Sequence, residues 1–185
     1  MESVTIIILI ITIIANSAII GGIIITIFKP KYRLWPPPSK NSWQFWMVWI
    51  LSIFSYLGIL VLSILDWDNF IYSHWSRYPI AIIFILVGLF IAIWGVKSLS
   101  VHSSLGLKGT LITQGIYKYS RNPQYLGDIL LFMGIIILTN SSMTFITGFL
   151  GILWNVLTPF TEEPWLKKQF KESYYEYCKK VRRFI

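Results

Sequence analysis

Residues 4–28 read VTIIILIITIIANSAIIGGIIITIF, an apolar run whose polar interruptions are threonines, Asn16 and Ser17. About 20 predominantly apolar residues are enough for a helix to cross a bilayer. A secretory signal peptide would have a shorter apolar core and a basic segment before it, whereas Glu2 stands at that place here. We therefore predict that this run is a retained transmembrane helix.

The composition of the whole chain agrees with a membrane protein. Of 185 residues, 55% are hydrophobic and only 13% are charged, and the mean hydropathy is +0.64. Soluble domains carry about twice this share of charge. Further apolar segments are found at 43–65, 78–99, 123–138 and 143–160. We predict an all-α integral membrane fold of about five transmembrane helices, followed by a C-terminal amphipathic cytoplasmic helix.

The predicted spans form a single membrane domain over residues 1–185. Residues 1–100 would supply three scaffold spans, and residues 101–185 a polar loop, two further spans and the C-terminal helix. Only the sequence TNSS (139–142) separates the last two spans, so they must form an antiparallel hairpin.

The basic residues are distributed unevenly between the loops. All of the 16 Lys and Arg residues except Arg77 fall in the first loop, the third loop or the C-terminal tail. By the positive-inside rule, these segments lie in the cytoplasm and the N-terminus lies outside. Cations that flank spans meet anionic lipid, so the net charge of +8 does not indicate nucleic-acid binding. One cysteine and two histidines disfavour a disulfide framework and a metal site.

Two polar segments lie on the predicted cytoplasmic side, where they can meet. The loop SVHSSLGLKGTLITQGIYKYSRNP (100–123) shows no clear helical period, and unstructured loops of this length are usually functional or disordered. The tail TEEPWLKKQFKESYYEYCKKVRRFI (161–185) repeats apolar residues every three or four positions. We predict an amphipathic helix there, with Thr161 as its N-cap.

The stretch SRNPQYLGD (120–128) marks the start of the fourth span. Asn122 is a favourable N-cap and Pro123 a favourable first helical residue. The free N–H groups of such a helix end, together with Arg121, suit an anion such as a carboxylate. Tyr125 and Asp128 lie on one face about one turn further on, and an intramembrane Asp is a functional-site candidate. The alternative is a structural Asp that bonds to Asn16, Asn155 or water.

Two linked motifs carry a resemblance to a known family. GIYKYSRNPQYLGD, followed at a distance by EEPWLKKQFKESYYEYCKKVRRF, resembles the isoprenylcysteine carboxyl methyltransferase-like family, which adjoins the phospholipid methyltransferases. The family signature is RHPxYxG, a helical hairpin, a Glu pair and a tail of the form F-G-x-x-Y-x-x-Y. The resemblance covers roughly residues 100–185 and implies a membrane enzyme that methylates a lipid-borne or small hydrophobic acceptor with S-adenosyl-L-methionine.

The resemblance also implies roles for particular residues. The cofactor would be bound by His102, Gly109, Thr110, Leu111, Ile112, Tyr117, Asn122, Pro123, Gln124, Tyr125 and Glu162. Arg121 suits the cofactor's carboxylate, and Glu162 or Glu163 suits its ammonium group. If the acceptor is an amine, Asp128 or Glu163 could take its proton.

Departures from the family pattern leave the acceptor open. RHP is replaced by Arg121-Asn122-Pro123, so an imidazole is lost. The prenylcysteine enzymes carry a basic residue before the Glu pair, where this chain has Thr158-Pro159-Phe160. This difference disfavours carboxyl methylation and leaves an amine, a thiol or another lipid group. Two alternatives to a methyltransferase are an NADPH-dependent, sterol-type membrane reductase and a non-enzymatic membrane protein of the same fold.

Overall fold

The computed structural model describes residues 2–185, and every regular element among them is helical. The α-helices are α1 (Glu2–Phe28), α2 (Trp43–Leu65), α3 (Arg77–Leu99), α4 (Val101–Ser104), α5 (Pro123–Thr139), α6 (Ser142–Leu157), α7 (Pro159–Phe170) and α8 (Glu172–Lys180). Two 3-10 turns lie at Pro30–Tyr32 and Gly115–Lys118. The predicted all-α membrane fold is confirmed.

The lengths of the helices separate four complete spans from a shorter one. The helices α1, α2 and α3 and the run Ser142–Phe170, which joins α6 to α7, are long and apolar enough to cross a bilayer. Helix α5 has 17 residues. At about 1.5 Å per residue it extends roughly 26 Å, slightly less than the ~30 Å hydrocarbon core. The five predicted spans thus correspond to α1, α2, α3, α5 and the continuous run of α6 and α7, and α5 is the shortest of these five.

Helix α5 is held in place mainly by α3. The contact between these two helices is the most extensive helix–helix contact in the described chain. A Cβ atom on Gly88 of α3 would come within 2.7 Å of the Gly127 carbonyl oxygen, and one on Gly127 within 2.6 Å of the Ala92 nitrogen. The two backbones therefore touch, a contact that small residues permit in membranes. This contact fixes the position of the SRNP turn at the start of α5.

A buried asparagine joins three spans in the middle of the bundle. The Asn16 side-chain oxygen accepts hydrogen bonds from the Ser55 hydroxyl (2.9 Å) and the Trp154 indole (3.1 Å). Its amide donates to the Thr12 carbonyl at 2.8 Å. Asn16 thus links α1 to α2 and α6 and is not the partner of Asp128.

The end of the bundle opposite the SRNP turn is closed by a polar network. Asp66, after α2, accepts hydrogen bonds from the Ser141 hydroxyl (2.6 Å) and the Met143 N–H (3.0 Å) at the start of α6. Asp68 accepts from the buried Arg77 and from the Asn140 side chain. The predicted hairpin of α5 and α6 is thereby tied to the second loop.

The C-terminal tail differs from the prediction of one amphipathic helix. Helix α7 continues directly from α6, and Thr161 lies inside it, where its hydroxyl donates to the Thr158 carbonyl at 2.8 Å. The predicted N-cap at Thr161 is therefore wrong, because Thr158 already has helical backbone angles. The helix breaks instead at Lys171, because its φ of 48° and ψ of −123° lie outside the α-helical region. Helix α8 begins after this residue.

Candidate active site

Three segments that are distant in sequence converge at the end of the bundle that holds the SRNP turn. The Gln169 amide of α7 donates to the Gly109 carbonyl at 3.2 Å, and the Tyr177 hydroxyl of α8 donates to the Tyr117 carbonyl at 2.6 Å. Gly106 packs closely against the Trp35 ring of the first loop. The predicted meeting of the third loop with the tail is confirmed, and the first loop joins them.

These segments enclose a cleft that most of the predicted site residues line. The predicted residues in its wall are Gly109, Thr110, Leu111, Ile112, Tyr117, Arg121, Asn122, Gln124, Tyr125 and Glu162. His102, Pro123 and Glu163 are not in the wall. His102 is exposed on α4, while Pro123 and Glu163 are buried. Trp165, Tyr174 and Tyr177, for which we predicted no role, add aromatic surface from α7 and α8.

Glu162 is the carboxylate that faces this cleft. Its Oε1 atom accepts hydrogen bonds from the Trp35 indole at 2.6 Å and from the Tyr125 hydroxyl at 2.5 Å. Among residues 2–185, no Lys, Arg or His forms an ion pair with Glu162. The side chain is thus held in place by two neutral donors, and no cation among the described residues balances its carboxylate. Trp35 was not predicted, because a tryptophan before three prolines suggests only a stiff connector.

Glu163 has a different environment. Arg183 donates to both of its oxygens, each at 2.8 Å, and Arg121 lies 3.2 Å from Oε1. The hydrogen bond to Glu163 raises the pKa of Arg183, so this guanidinium stays protonated. Both oxygens of the buried Glu163 are used within the protein, which favours a structural role over the predicted proton transfer.

The end of the chain closes over the SRNP turn. The Arg121 N–H donates to the Arg182 carbonyl at 3.0 Å, and the Asn122 side chain donates to the Arg183 carbonyl at 3.0 Å. Asn122 occupies the predicted N-cap position of α5, but its side chain holds this C-terminal segment and makes no cap hydrogen bond. Sequence reasoning missed this contact of Arg183 with Asn122, since spacing alone does not show where a tail folds back.

Polar groups along the inner wall of the cleft are linked to each other. The Gln124 amide donates to the Ser104 hydroxyl at 2.8 Å and to the Tyr117 hydroxyl at 3.2 Å. Burial raises the pKa of Tyr117, so its hydroxyl remains neutral near pH 7. The third loop is thus tied to the first turn of α5.

A second, more apolar cavity lies inside the bundle beside the cleft. It shares Ser104, Gln124 and Tyr125 with the cleft. The predicted common face of Tyr125 and Asp128 is confirmed, because both side chains line this cavity. Aromatic residues from the first loop, α2 and α6 surround it, namely Trp35, Trp49, Tyr56 and Trp154.

Asp128 is the charged residue of this cavity. The Tyr56 hydroxyl lies beside its carboxylate. Neither Lys nor Arg is in the cavity wall, as far as residues 2–185 are concerned. A carboxylate among aromatic rings is an environment that stabilises a cation, through Coulomb attraction and cation–π contacts. The same environment disfavours the binding of an anion.

Comparison with known proteins assigns the chain to a family. A family described as phospholipid methyltransferase matches residues 76–173, more than half of the chain. The chain is also 29% identical, over 159 residues, to a phosphatidylethanolamine N-methyltransferase of Yarrowia lipolytica (strain CLIB 122 / E 150). That similarity covers 77% of this chain but only 16% of the relative's length. No solved structure matches significantly.

The chain belongs to the phospholipid methyltransferase family. The resemblance predicted from the SRNPQYLGD stretch and the Glu pair is confirmed on its phospholipid methyltransferase side. The description of this family favours the methyltransferase interpretation over the reductase and the non-enzymatic protein.

Proposed function

We propose that this member of the phospholipid methyltransferase family transfers a methyl group from S-adenosyl-L-methionine to an amine-bearing lipid in the membrane. One observation carries the proposal. A cleft at the end of the bundle, which Glu162 faces, and a more apolar cavity inside the bundle share Gln124 and Tyr125. A soluble donor in the cleft and a lipid acceptor in the cavity would therefore meet at these two side chains.

The residues of the cleft fit the donor. Its ammonium group would pair with Glu162, whose charge is unmatched within the described chain. Its carboxylate would lie near Arg121 and the N–H groups at the start of α5. The faces of Tyr117 and Trp165 suit the sulfonium and the adenine ring. When bound, the cofactor would supply the methyl group of its sulfonium: an electron pair of the acceptor would bond to the methyl carbon as the carbon–sulfur bond breaks, and S-adenosylhomocysteine would leave.

The residues of the cavity support an amine as the acceptor. Asp128 and the aromatic rings around it would hold a protonated amine, and Asp128 would take the proton that the nitrogen must lose before it can form a bond to carbon. The relative is named for methylation of phosphatidylethanolamine, an amine-bearing lipid. The chain spans about a sixth of that protein's length. An amine-bearing lipid is therefore proposed as the acceptor of this chain and is not inferred from the relative's name alone.

The chain's own contribution to the reaction is alignment and the exclusion of water. Trp35 and Tyr125 hold Glu162, and Gln124 ties the third loop to α5, so both ligand spaces keep their relative position. Fixed alignment of reacting groups is worth a large part of a methyl-transfer barrier. The cleft adjoins the basic loops, so by the positive-inside rule we expect the donor site to face the cytoplasm.

Calorimetry with S-adenosylhomocysteine on the detergent-purified chain tests the donor site. We expect the Glu162→Gln variant to bind at least about tenfold more weakly, because a charge-assisted contact is lost. Glu172→Gln is a matched control, since Glu172 is exposed on α8 and outside the cleft. If a folded parent protein does not bind S-adenosylhomocysteine, the methyltransferase proposal is wrong, and NADPH should be tried next.

The acceptor is tested in nanodiscs with labelled S-adenosyl-L-methionine. Label in dioleoylphosphatidylethanolamine, and none in dioleoylphosphatidylglycerol, would support an amine. Transfer to neither lipid by a protein that binds the donor would refute the amine lipid while leaving the donor site intact.

A further inference from the structure

A group of basic side chains lies at the same end of the bundle, outside both ligand spaces. Two adjoining depressions separate the first loop from α7, and they share Arg33, Pro38, Trp165 and Lys168. Lys31 lines one of them and Lys108 the other. We call this surface the basic cleft and define it by Lys31, Arg33, Lys108 and Lys168.

The charge of the basic cleft is uncompensated. No Asp or Glu is in the wall of either depression, and none of the four cations forms an ion pair within residues 2–185. Arg33 is half-buried, with its guanidinium 5.8 Å from the centre of the Trp165 ring. Burial lowers the pKa of Arg33, an effect that a bound anion would offset.

The surroundings of the basic cleft are those of a membrane interface. Thr26 and Ile27, from the last turn of α1, form part of its wall. Large aromatic side chains are exposed nearby: Phe28 at 79%, Tyr32 at 60% and Trp43 at 66%. Exposed aromatic residues at the ends of spans mark the level of the lipid head groups. An anion at this level is most readily supplied by a lipid phosphate.

We propose that the basic cleft binds the phosphate group of an anionic membrane lipid. Arg33 would contact two phosphate oxygens with its planar guanidinium, while the lysines add charge. The apolar end of α1 and the ring of Phe160 would contact the acyl chains. This site is separate from the methyl-transfer site and does not depend on the proposed activity.

Native mass spectrometry of the detergent-purified full chain tests this site with dioleoylphosphatidylglycerol as the probe. We expect the parent to retain this lipid, and the double variant R33Q/K168Q to bind it roughly tenfold more weakly. The matched control K97Q/K118Q loses the same charge from exposed positions outside the basic cleft and should bind as the parent does.

Further variants and a competitor separate the alternatives. R33K/K168R keeps both charges and should retain the lipid, and melting temperatures establish that each variant is folded. Equal losses in R33Q/K168Q and K97Q/K118Q would show nonspecific attraction and overturn the proposal. Displacement of the lipid by an equal concentration of inorganic phosphate would show that free phosphate is the ligand, which also overturns it.

Discussion

The two ends of the helix bundle both carry carboxylates but use them in opposite ways. At the end away from the SRNP turn, Asp66 accepts from the hydroxyl and backbone groups that open α6, and Asp68 is paired with Arg77. At the other end, Glu162 and Asp128 have no cationic partner in the described chain. The comparison separates carboxylates that are bound within the fold from the two carboxylates that we propose bind ligands.

Glu162 and its neighbour Glu163 repeat this comparison at the scale of two adjacent residues. Glu163 is bound by Arg121 and Arg183, whereas Glu162 accepts only from the neutral groups of Trp35 and Tyr125. A carboxylate that is desolvated and unpaired is costly, so a fold retains it where it serves a function. Variants at the two ends should therefore affect different properties.

The largest expected effect is on catalysis. Asp128→Asn keeps the size of the side chain but removes its capacity to take a proton, so we expect methyl transfer to fall at least about a hundredfold. S-adenosylhomocysteine affinity should be almost unchanged. The measurement is the initial rate in phosphatidylethanolamine nanodiscs, with Asp68→Asn at the opposite end as the matched control. Full activity of the Asp128→Asn variant would show that Asp128 does not take the proton during methyl transfer.

A smaller effect is expected on stability at the opposite end. Asp66→Ala leaves the buried Ser141 hydroxyl and the Met143 N–H without their acceptor, so we expect a loss of about 2 kcal/mol. Thermal unfolding in detergent measures this change, and S-adenosylhomocysteine affinity below the transition should stay as in the parent. A loss of affinity in folded Asp66→Ala would mean that the two ends are coupled.

Trp35→Phe tests how the unpaired carboxylate is held. The change removes the indole donor 2.6 Å from Glu162 but keeps an aromatic ring, so we expect affinity for S-adenosylhomocysteine to fall about fivefold. Trp49→Phe is the control, because Trp49 lines the same apolar cavity as Trp35 but its indole N–H has no hydrogen-bond partner among residues 2–185. Unchanged affinity in Trp35→Phe would show that Tyr125 alone suffices to orient Glu162.

The smallest effect is a gain in stability. Lys171 has a positive φ of 48° between α7 and α8, where the family pattern has glycine. Since glycine adopts such angles without strain, Lys171→Gly should stabilise the protein by about 0.5–1 kcal/mol. Lys171→Ala removes the same charge but keeps a Cβ atom, so it should give no gain in melting temperature. An equal gain from Ala would attribute the effect to charge.

Several site features could be predicted because they depend on local spacing. Asn122 and Pro123 mark the start of α5, and the three-residue step from Tyr125 to Asp128 places both side chains in one cavity. The approach of the third loop to the tail followed from the charge rule, since both had to lie on one side of the membrane. The contacts of Trp35 with Glu162 and of Arg183 with Glu163 could not be found in this way, because each depends on how distant segments of the chain pack.

The amino-acid sequence by itself determined the membrane class, the positions of the five apolar helices and the family-bearing motifs. These properties follow from local hydrophobicity and spacing, which a chain carries wherever it folds. Tertiary structure decided that Glu163 is paired with arginines while Glu162 accepts only from neutral donors. It also decided that the first loop completes the cleft. A side chain's charge acts through its distance to partners, and those distances exist only after the helices have packed.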